Sequence, residues 1–335
     1  MQKKILVVDD EPNNLQLLRQ ILKDHYQLIF ASSGDKALEA VTRHLPDLVL
    51  LDVAMPSVDG YEVCRNIKSN RLTENIPVIF VTAMADVEDE SLGFDAGAVD
   101  YILKPVSAPV VLRRVQTHLS LVRAKELEES QREAIYMLGT AGLYNDSDTG
   151  VHIWRMAAYA RALASAVGWS DAMSERIEFA AAMHDVGKIG IPDAILQAPR
   201  QLQSAEWETM KRHPEIGYEI LSKCHSPIFV LAAEIARYHH EKWNGSGYPA
   251  GLRGTAIPES ARIVALVDVF DALTMKRPYK KAWNIDEAML EIHNGSGVHF
   301  EPRLVQIFES HLSEILELME IWNKKEITEA GAKAH

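Results

Sequence analysis

The run VLLDVAMPSVDG, from Val49 to Gly60, decides how the first third of the chain is read. It is a short apolar stretch ended by Asp52 and punctuated by Pro56 and Gly60, the pattern of a strand buried on both faces that stops at a polar turn. Working outward, the same pattern predicts strands at Lys4–Val8, Tyr26–Ala31, Leu48–Leu51, Pro77–Val81 and Asp100–Leu103. Helical periodicity fills the intervals at Asn13–Leu22, Gly34–Arg43, Gly60–Ser69 and Glu88–Ala96. Alternation of this kind defines a doubly wound α/β fold with a five-stranded parallel sheet, and such folds place ligands at the carboxyl ends of their strands.

The residues at those ends are chemically coherent. Asp9 and Asp10 follow the first strand, Asp52 the third, Thr82 the fourth, and Lys104 with Pro105 the fifth. Three converging carboxylates repel one another unless a hard divalent cation sits among them, and oxygen-only ligation suits magnesium. An Asp can then act as nucleophile toward a phosphoryl group while the metal and a Lys neutralise the transferring oxygens. Any one of these residues alone reads as a turn residue. Together, with VLLDVAMPSVDG and the Leu103-Lys104-Pro105 triplet, they resemble the receiver domain of two-component response regulators over about 120 residues. The resemblance implies that Asp52 is the phospho-acceptor, that Asp9, Asp10 and Asp52 hold magnesium, that Thr82 senses the phosphoryl group and that Lys104 pairs with it. Tyr101 occupies the position of the switch aromatic; as residues alone, it reads equally as a half-buried strand tyrosine.

From Ala108 onward the composition is helical, and the run LSLVRAKELEESQREAIYML (residues 119–138) continues the last receiver helix into a linker. Its rough apolar stripe, Leu119, Val122, Leu127 and Ile135, could pair with a second copy to form a homodimer or remain a solvated connector. The expected division is a receiver at 1–122, a linker helix at 123–138 and a second, all-α domain at 139–335.

At 335 residues the chain has room for two cores, and 47% hydrophobic with 24% charged residues is ordinary for globular protein. The apolar run Ile5–Val8 is too short for a secretory signal, and the apolar stretch Met156–Trp169 is broken by Arg161. A cytoplasmic protein without membrane attachment is expected. Cys64 and Cys224, one in each half, have no metal or disulfide spacing and read as small core residues. The formal net charge of −12 excludes a broadly basic grip on DNA, so an anionic substrate must be drawn by bound metal or by a few placed Lys and Arg.

Beyond Gly139 the strand pattern disappears and a His/Asp set appears: His152, His184, Asp185, His213, His239, His240 and Asp268. Mixed nitrogen and oxygen ligation suits borderline transition metals, with iron or manganese first and nickel or zinc as alternatives. The other eight histidines (25, 44, 118, 225, 293, 299, 311 and 335) read as ordinary. The five in the set are embedded in longer contexts. AAMHDVGKIGIPD (residues 181–193) and YHHEKWNGSGYPAGLRGTAIPESARIVALVDVFDALTMKRPYK (residues 238–280) closely resemble the HD-GYP family of cyclic di-GMP phosphodiesterases, a branch of the HD metal-phosphohydrolases, over about residues 140–315.

The resemblance implies a two-metal centre. His152, His184, Asp185 and Asp268 match the basic HD set, His213, His239 and His240 the ligands of the second ion, and Asp185 bridges. Two such ions lower the pKa of water from ~15.7 toward ~7, so hydroxide can attack phosphorus without a Ser or Cys nucleophile. Lys188, four residues after His184, shares a helix face with it if that helix continues, and matches the family lysine that meets the phosphate. Catalysis is thus expected from His184, Asp185 and Lys188. Arg277 and Lys280 match further phosphate contacts, against the plainer reading of a solvated basic turn. Gly247, Tyr248 and Pro249, with Gly245, form the namesake loop beside the substrate or a docking point for cyclic di-GMP synthases, the diguanylate cyclases. Asp148 stands where some members carry a metal-binding Glu; being one methylene shorter, it is expected at most to support the ligands from outside. Glu301 replaces a more usual Asp and implies nothing functional.

The implied function is a phosphorylation-regulated enzyme hydrolysing cyclic di-GMP, with pGpG or GMP as the end product, under a cognate sensor histidine kinase. Its rivals are a catalytically weak cyclic di-GMP sensor or adaptor acting through protein partners, and a hydrolase of another phosphoester.

Overall fold

The computed structural model describes residues 2–83, 92–142, 150–275 and 282–333. The chain divides into two compact units, Met1–Glu129 and Ser130–His335.

The first unit is built on five parallel strands in the order β2-β1-β3-β4-β5: β1 (Lys4–Val8), β2 (Gln27–Ala31), β3 (Leu48–Asp52), β4 (Val78–Thr82) and β5 (Asp100–Leu103). Strands β3 and β4 are buried along their whole length, whereas the edge strands β2 and β5 are partly exposed. Alternate residues serve opposite faces, as a period of two requires. Leu6, Val8, Val49 and Leu51 enter one core and Ile5, Val7, Leu48 and Leu50 the other. Helices α1 (Pro12–Leu22), α2 (Gly34–His44) and α3 (Gly60–Ser69) cover the sheet. Their starts are encoded locally: Pro12 opens α1, the Ser33 side chain accepts from Lys36 N at α2, and Asp59 accepts from Glu62 N (2.7 Å) at α3. Within the expected helix Glu88–Ala96, residues 92–95 are helical and residues 88–91 lie outside the described residues.

Helix α4 (Ala108–Gly142) contains the whole expected linker. Its first turns contribute Val111 and Val115 to a receiver-unit core. Its last turns belong to the second unit, where Tyr136 stacks on Trp154 (5.2 Å) and Arg132 pairs with Glu175 (2.6 Å).

The second unit has no named strand among its described residues. Helices α5 (Gly150–Ala166), α6 (Asp171–Ala181), α9 (His213–Leu221), α10 (Pro227–Tyr238) and α11 (Glu259–Thr274) surround the site. The short helices α7 (Asp193–Leu196) and α8 (Ser204–Met210) bridge α6 to α9, and α12 (Ile285–Asn294), α13 (Pro302–Ser310) and α14 (Leu312–Lys333) complete the chain. Helix α11 is apolar on nearly every side and is correspondingly buried from Ile263 through Val267 and at Phe270. Tyr159 and Phe308 flank Phe270 edge-on at 6.1 and 5.0 Å. Each large side chain so buried stabilises the unit by roughly 1.5–3 kcal/mol.

No helix among the described residues is long and apolar enough to cross a membrane. The cysteine expectation holds for Cys64, which is buried, but fails for Cys224, which is exposed. Cys224 lies in the turn between α9 and α10, where the chain reverses at the surface.

Candidate metal centre and receiver pocket

In the first unit, strand register assembles the acidic pocket. Val8 pairs with Leu51, so Asp9 emerges beside Asp52; Thr82 pairs with Leu103, so Lys104 follows next to it. Lys104 Nζ donates to Asp9 (2.9 Å) and to Asp52 (2.8 Å), and Asp9, Asp10 and Asp52 each offer an oxygen within 4.8 Å of the others. Asp9 also accepts from Asn14 Nδ2 and Glu11 N. Burial pushes the Asp52 carboxyl above its ordinary range, more than Lys104 lowers it. Burial works against the Lys104 charge too, but its hydrogen bonds to Asp52 and Asp9 outweigh that and raise it. Thr82 is buried at the end of β4. Tyr101 is half-buried, edge-on to Phe94 and beneath the Arg114 guanidinium.

In the second unit, the histidines are held by their backs. Nδ1 of His184 donates to the Ala181 carbonyl (2.8 Å), Nδ1 of His213 to the Met210 carbonyl (2.8 Å), and Nδ1 of His239 to the Ile235 and Ala236 carbonyls (3.1 and 3.0 Å). A carbonyl only accepts, so each Nδ1 carries a proton and each Nε2 faces inward as the available donor atom. The His184 ring meets the His239 ring edge-on at 5.1 Å, and His213 Nε2 lies 3.1 Å from His240 Nε2.

Asp185 sits at the centre. Its Oδ1 lies 3.3 Å from His213 Nε2 and 3.7 Å from His239 Nε2; its Oδ2 lies 3.3 Å from His184 Nε2 and 2.7 Å from Lys188 Nζ. Asp268 Oδ1 stands 4.0 Å from His184 Nε2. Asp185, His213, His239 and His240 each offer a ligand atom within 4.8 Å of the others. Close approach of two backbones makes this convergence possible. A Cβ on Gly187 would lie 1.9 Å from the His213 carbonyl, so only glycine lets the turn bearing Asp185 cross the start of α9.

The electrostatics are those of a site built for cations. Burial drives His213 down to about 4 and His240 well below the imidazole range, so both rings are neutral at pH 7. Burial also opposes charge on His184, yet Asp185 and Asp268 outweigh it and take this ring to about 9. Asp185 resists its own burial because Lys188 and His184 hold its carboxyl well below the usual range. His184 Nε2, His239 Nε2 and Asp185 Oδ1 are buried without a hydrogen-bond partner. Three orphaned inward atoms of mixed N and O type, with two neutral Nε2 atoms 3.1 Å apart, fit divalent cations and fit poorly with an empty protein interior.

The loop after His240 folds back over this cluster. Tyr248 stacks on the His240 ring at 4.8 Å, and burial raises its hydroxyl above the ordinary tyrosine range. A Cβ on Gly247 would meet Lys242 N at 2.3 Å, and Pro249 follows Tyr248 in the same turn. Glu241, buried, anchors the loop by accepting from Ala250 N (2.7 Å) and Leu252 N (3.0 Å).

Of the residues expected from the sequence, Asp185, His213, His239 and His240 come together, with His184 and Asp268 beside them. Lys188 does not share a helix face with His184: α6 ends at Ala181 and residues 186–190 form a tighter 3-10 turn, so Lys188 meets Asp185, three residues back. His152, like His184 and Asp268, is not one of the four residues within 4.8 Å of one another; its Nδ1 is hydrogen-bonded to Asp271. Asp148, Arg277 and Lys280 lie outside the described residues. Glu301 pairs with Arg262 and Arg303, a structural role. Glu241 and Asp271 were missed; the available signals are a Glu directly after the His pair and an Asp three residues, one helical turn, beyond Asp268.

Comparison with known proteins agrees with both halves. Residues 5–116 match the response regulator receiver domain and residues 118–304 the HD domain. The chain belongs to the HD-domain family, whose metal-binding character its His/Asp cluster shares, and carries a receiver domain ahead of it. A Vibrio cholerae protein named "Probable cyclic di-GMP phosphodiesterase" is 41% identical over 92% of this chain and 77% of its own length. The Xanthomonas campestris cyclic di-GMP phosphodiesterase response regulator RpfG is 37% identical over 90% of this chain and 85% of its own. A Thermotoga maritima cyclic di-GMP phosphodiesterase is 34% identical over 99% and 96%.

Proposed function

We propose that the chain is a phosphorylation-regulated phosphodiesterase that hydrolyses cyclic di-GMP to pGpG. The observation that carries this reading is the convergence of three buried, unpartnered atoms, His184 Nε2, His239 Nε2 and Asp185 Oδ1, on one point beside Lys188. The names of the relatives, which align over most of this chain, support the substrate.

His152, His184, Asp185 and Asp268 hold one divalent ion and Asp185, His213, His239 and His240 a second, iron or manganese by preference over nickel or zinc. The ions, when bound, supply activation of water and neutralisation of charge at phosphorus. Asp185 serves both sides because its two oxygens face different groups, Oδ1 toward His213 and His239 and Oδ2 toward His184 and Lys188. Lys188, carrying its charge on a side chain steadied by Asp185, takes a non-bridging phosphate oxygen. Gly247, Tyr248 and Pro249 wall the substrate, and Arg277 and Lys280 add phosphate contacts. In the reaction one phosphorus bond to a ribose 3′-oxygen breaks, one to the oxygen of water forms, and a water proton ends on the 3′-oxygen.

In the receiver, Asp52 takes a phosphoryl group from a sensor histidine kinase, Asp9, Asp10 and Asp52 hold magnesium, and Thr82, Tyr101 and Lys104 register the change. The loop at Gly247–Pro249 is a candidate docking point for cyclic di-GMP synthases, and the α4 linker for a second copy of the chain.

Manganese-loaded full-length protein is expected to yield pGpG by chromatography, with His184→Ala inactive at unchanged helical content. Binding of cyclic di-GMP without product would replace the enzyme with a sensor or adaptor. Asp52→Ala is expected to lose any response to beryllofluoride while retaining basal hydrolysis.

A further inference from the structure

His152 is braced differently from three of the other histidine ligand candidates. His184, His213 and His239 lean on main-chain carbonyls, whereas His152 leans on a side chain, with Nδ1 hydrogen-bonded to the Asp271 carboxylate. Asp271 is fully buried and is itself gripped from behind. Arg155 donates to it through Nε (2.6 Å) and Nη2 (2.9 Å), and Arg155, almost wholly buried, turns Nη1 to Asn323 Oδ1 on α14 (3.0 Å). Both carboxylate oxygens of Asp271 accept from Arg155, Oδ1 from Nε and Oδ2 from Nη2, and Oδ2 also faces His152 Nδ1.

A buried Asp–Arg pair gives little net stability, because desolvation of both ions consumes the attraction. Three features give this pair another use. Asp271 lies one turn along α11 from Asp268, so the helix that offers a ligand also offers the brace. Acceptance of Nδ1–H leaves Nε2 as the sole ring atom His152 can present. The bidentate grip of Arg155 fixes the carboxylate plane, and with it the direction of the ring.

We propose that Asp271 is a positioning residue of the metal centre: held by Arg155, it fixes the tautomer and orientation of His152 and raises the basicity of its Nε2. This rests on the metal-centre reading given above. It makes Asp271 the side-chain brace whose substitution weakens a metal site without removing a ligand.

The test is metal affinity of the full-length chain, measured with manganese against a competing chelator, in parent, Asp271→Asn and Asp185→Asn. In Asp271→Asn, turning the amide nitrogen toward His152 opposes the Nδ1–H tautomer, while turning it toward Arg155 sets two donors face to face. The ion that His152 helps to hold is expected to bind roughly 10- to 100-fold more weakly, with helical content and tryptophan emission unchanged. Parent-like affinity in Asp271→Asn, with binding intact in the parent, overturns the positioning role alone. Failure of the parent to bind manganese overturns the metal centre itself. Should Asp271→Asn fail to fold because Arg155 is left uncompensated, Arg155→Gln with Asp271→Asn carries the same measurement with a neutral pair. A second readout needs no change at Asp271: ¹⁵N imidazole spectra of the zinc-loaded parent, with His152 assigned through His152→Gln. A proton on Nδ1 with Nε2 shifted by zinc supports the proposal; a proton on Nε2 overturns it.

Discussion

The chain holds two polar pockets that solve the same problem, buried polar groups, in opposite ways. In the receiver unit, Asp9 and Asp52 are answered from within, because Lys104 reaches both carboxylates with ordinary hydrogen bonds. In the helical unit the inward atoms of His184, His239 and Asp185 are left without hydrogen-bond partners, although Lys188 stands on the other oxygen of Asp185. A pocket whose own residues balance it can exchange its ligand and still stay folded, which suits a group that is added and removed. A pocket that leaves buried donors and acceptors unanswered depends on a resident ion, since each unsatisfied group costs about 1–3 kcal/mol. The first arrangement suits a switch and the second a catalytic centre.

Four measurements break or sharpen that contrast. The largest effect is expected from Asp185→Ala, which removes the carboxylate shared by both sides of the cluster: initial rates of pGpG formation should fall at least about 10³-fold, the scale of losing a preorganised electrostatic group. Lys104→Met should leave basal rates within about twofold, as for a substitution remote from the chemistry. Comparable losses from the two would erase the distinction between the pockets.

Chelation comes next. All six tryptophans (154, 169, 207, 243, 283 and 322) belong to the second unit, so their emission follows that unit's unfolding. Withdrawing metal present at 100 times its Kd should lower that unit's stability by about 2.7 kcal/mol and leave the receiver's circular-dichroism transition in place. A shift confined to the receiver would reverse the assignment of resident and exchangeable ions.

The pH dependence of the metal-free protein is smaller and two-sided. His184 rises from 6.5 to about 9 on folding, so its contribution is complete below about 6.5 and is lost as pH climbs through about 9. His213 falls from 6.5 to about 4, so its contribution is complete above about 6.5 and is lost as pH drops through about 4. Tryptophan-monitored melting should therefore decline on both sides of that value, and calorimetry in buffers of different ionisation enthalpy should record about one proton released as metal enters at pH 7. A melting temperature that climbs steadily from pH 6.5 to 9 would contradict the assignment of His184.

The smallest effect is expected at Glu241. Glu241→Gln removes one of two charge-assisted acceptors for the loop bearing Tyr248, so KM for cyclic di-GMP should rise roughly tenfold, about 1.4 kcal/mol, with kcat nearly unchanged. A kcat loss at constant KM would move Glu241 from loop anchor to chemistry.

How far the sequence reveals all this depends on the range of each interaction. Strand limits are read to within one residue, as with Gln27 for Tyr26 and Val78 for Pro77, because apolar period and turn residues act locally. Acid at strand ends is equally legible, since parallel register then brings Asp9, Asp52 and Lys104 together. In the helical unit, motif spacing identifies the ligand types, but the partner of Lys188 depends on where α6 stops. The helix ends at Ala181 and a 3-10 turn follows from Val186, a change of winding that periodicity alone does not report. For Asp271 the spacing from Asp268 marks a shared helix face, but its partners His152 and Arg155 lie more than 100 positions away, so no local pattern assigns them.

The carbonyls behind His184, His213 and His239 have a further meaning for how such a chain ages. A main-chain oxygen has no codon of its own, so these three rings keep their aim through any drift in neighbouring side chains that leaves the turn of backbone intact. The surrounding walls can be rewritten for a new cyclic dinucleotide while the inherited core goes on grasping its ions.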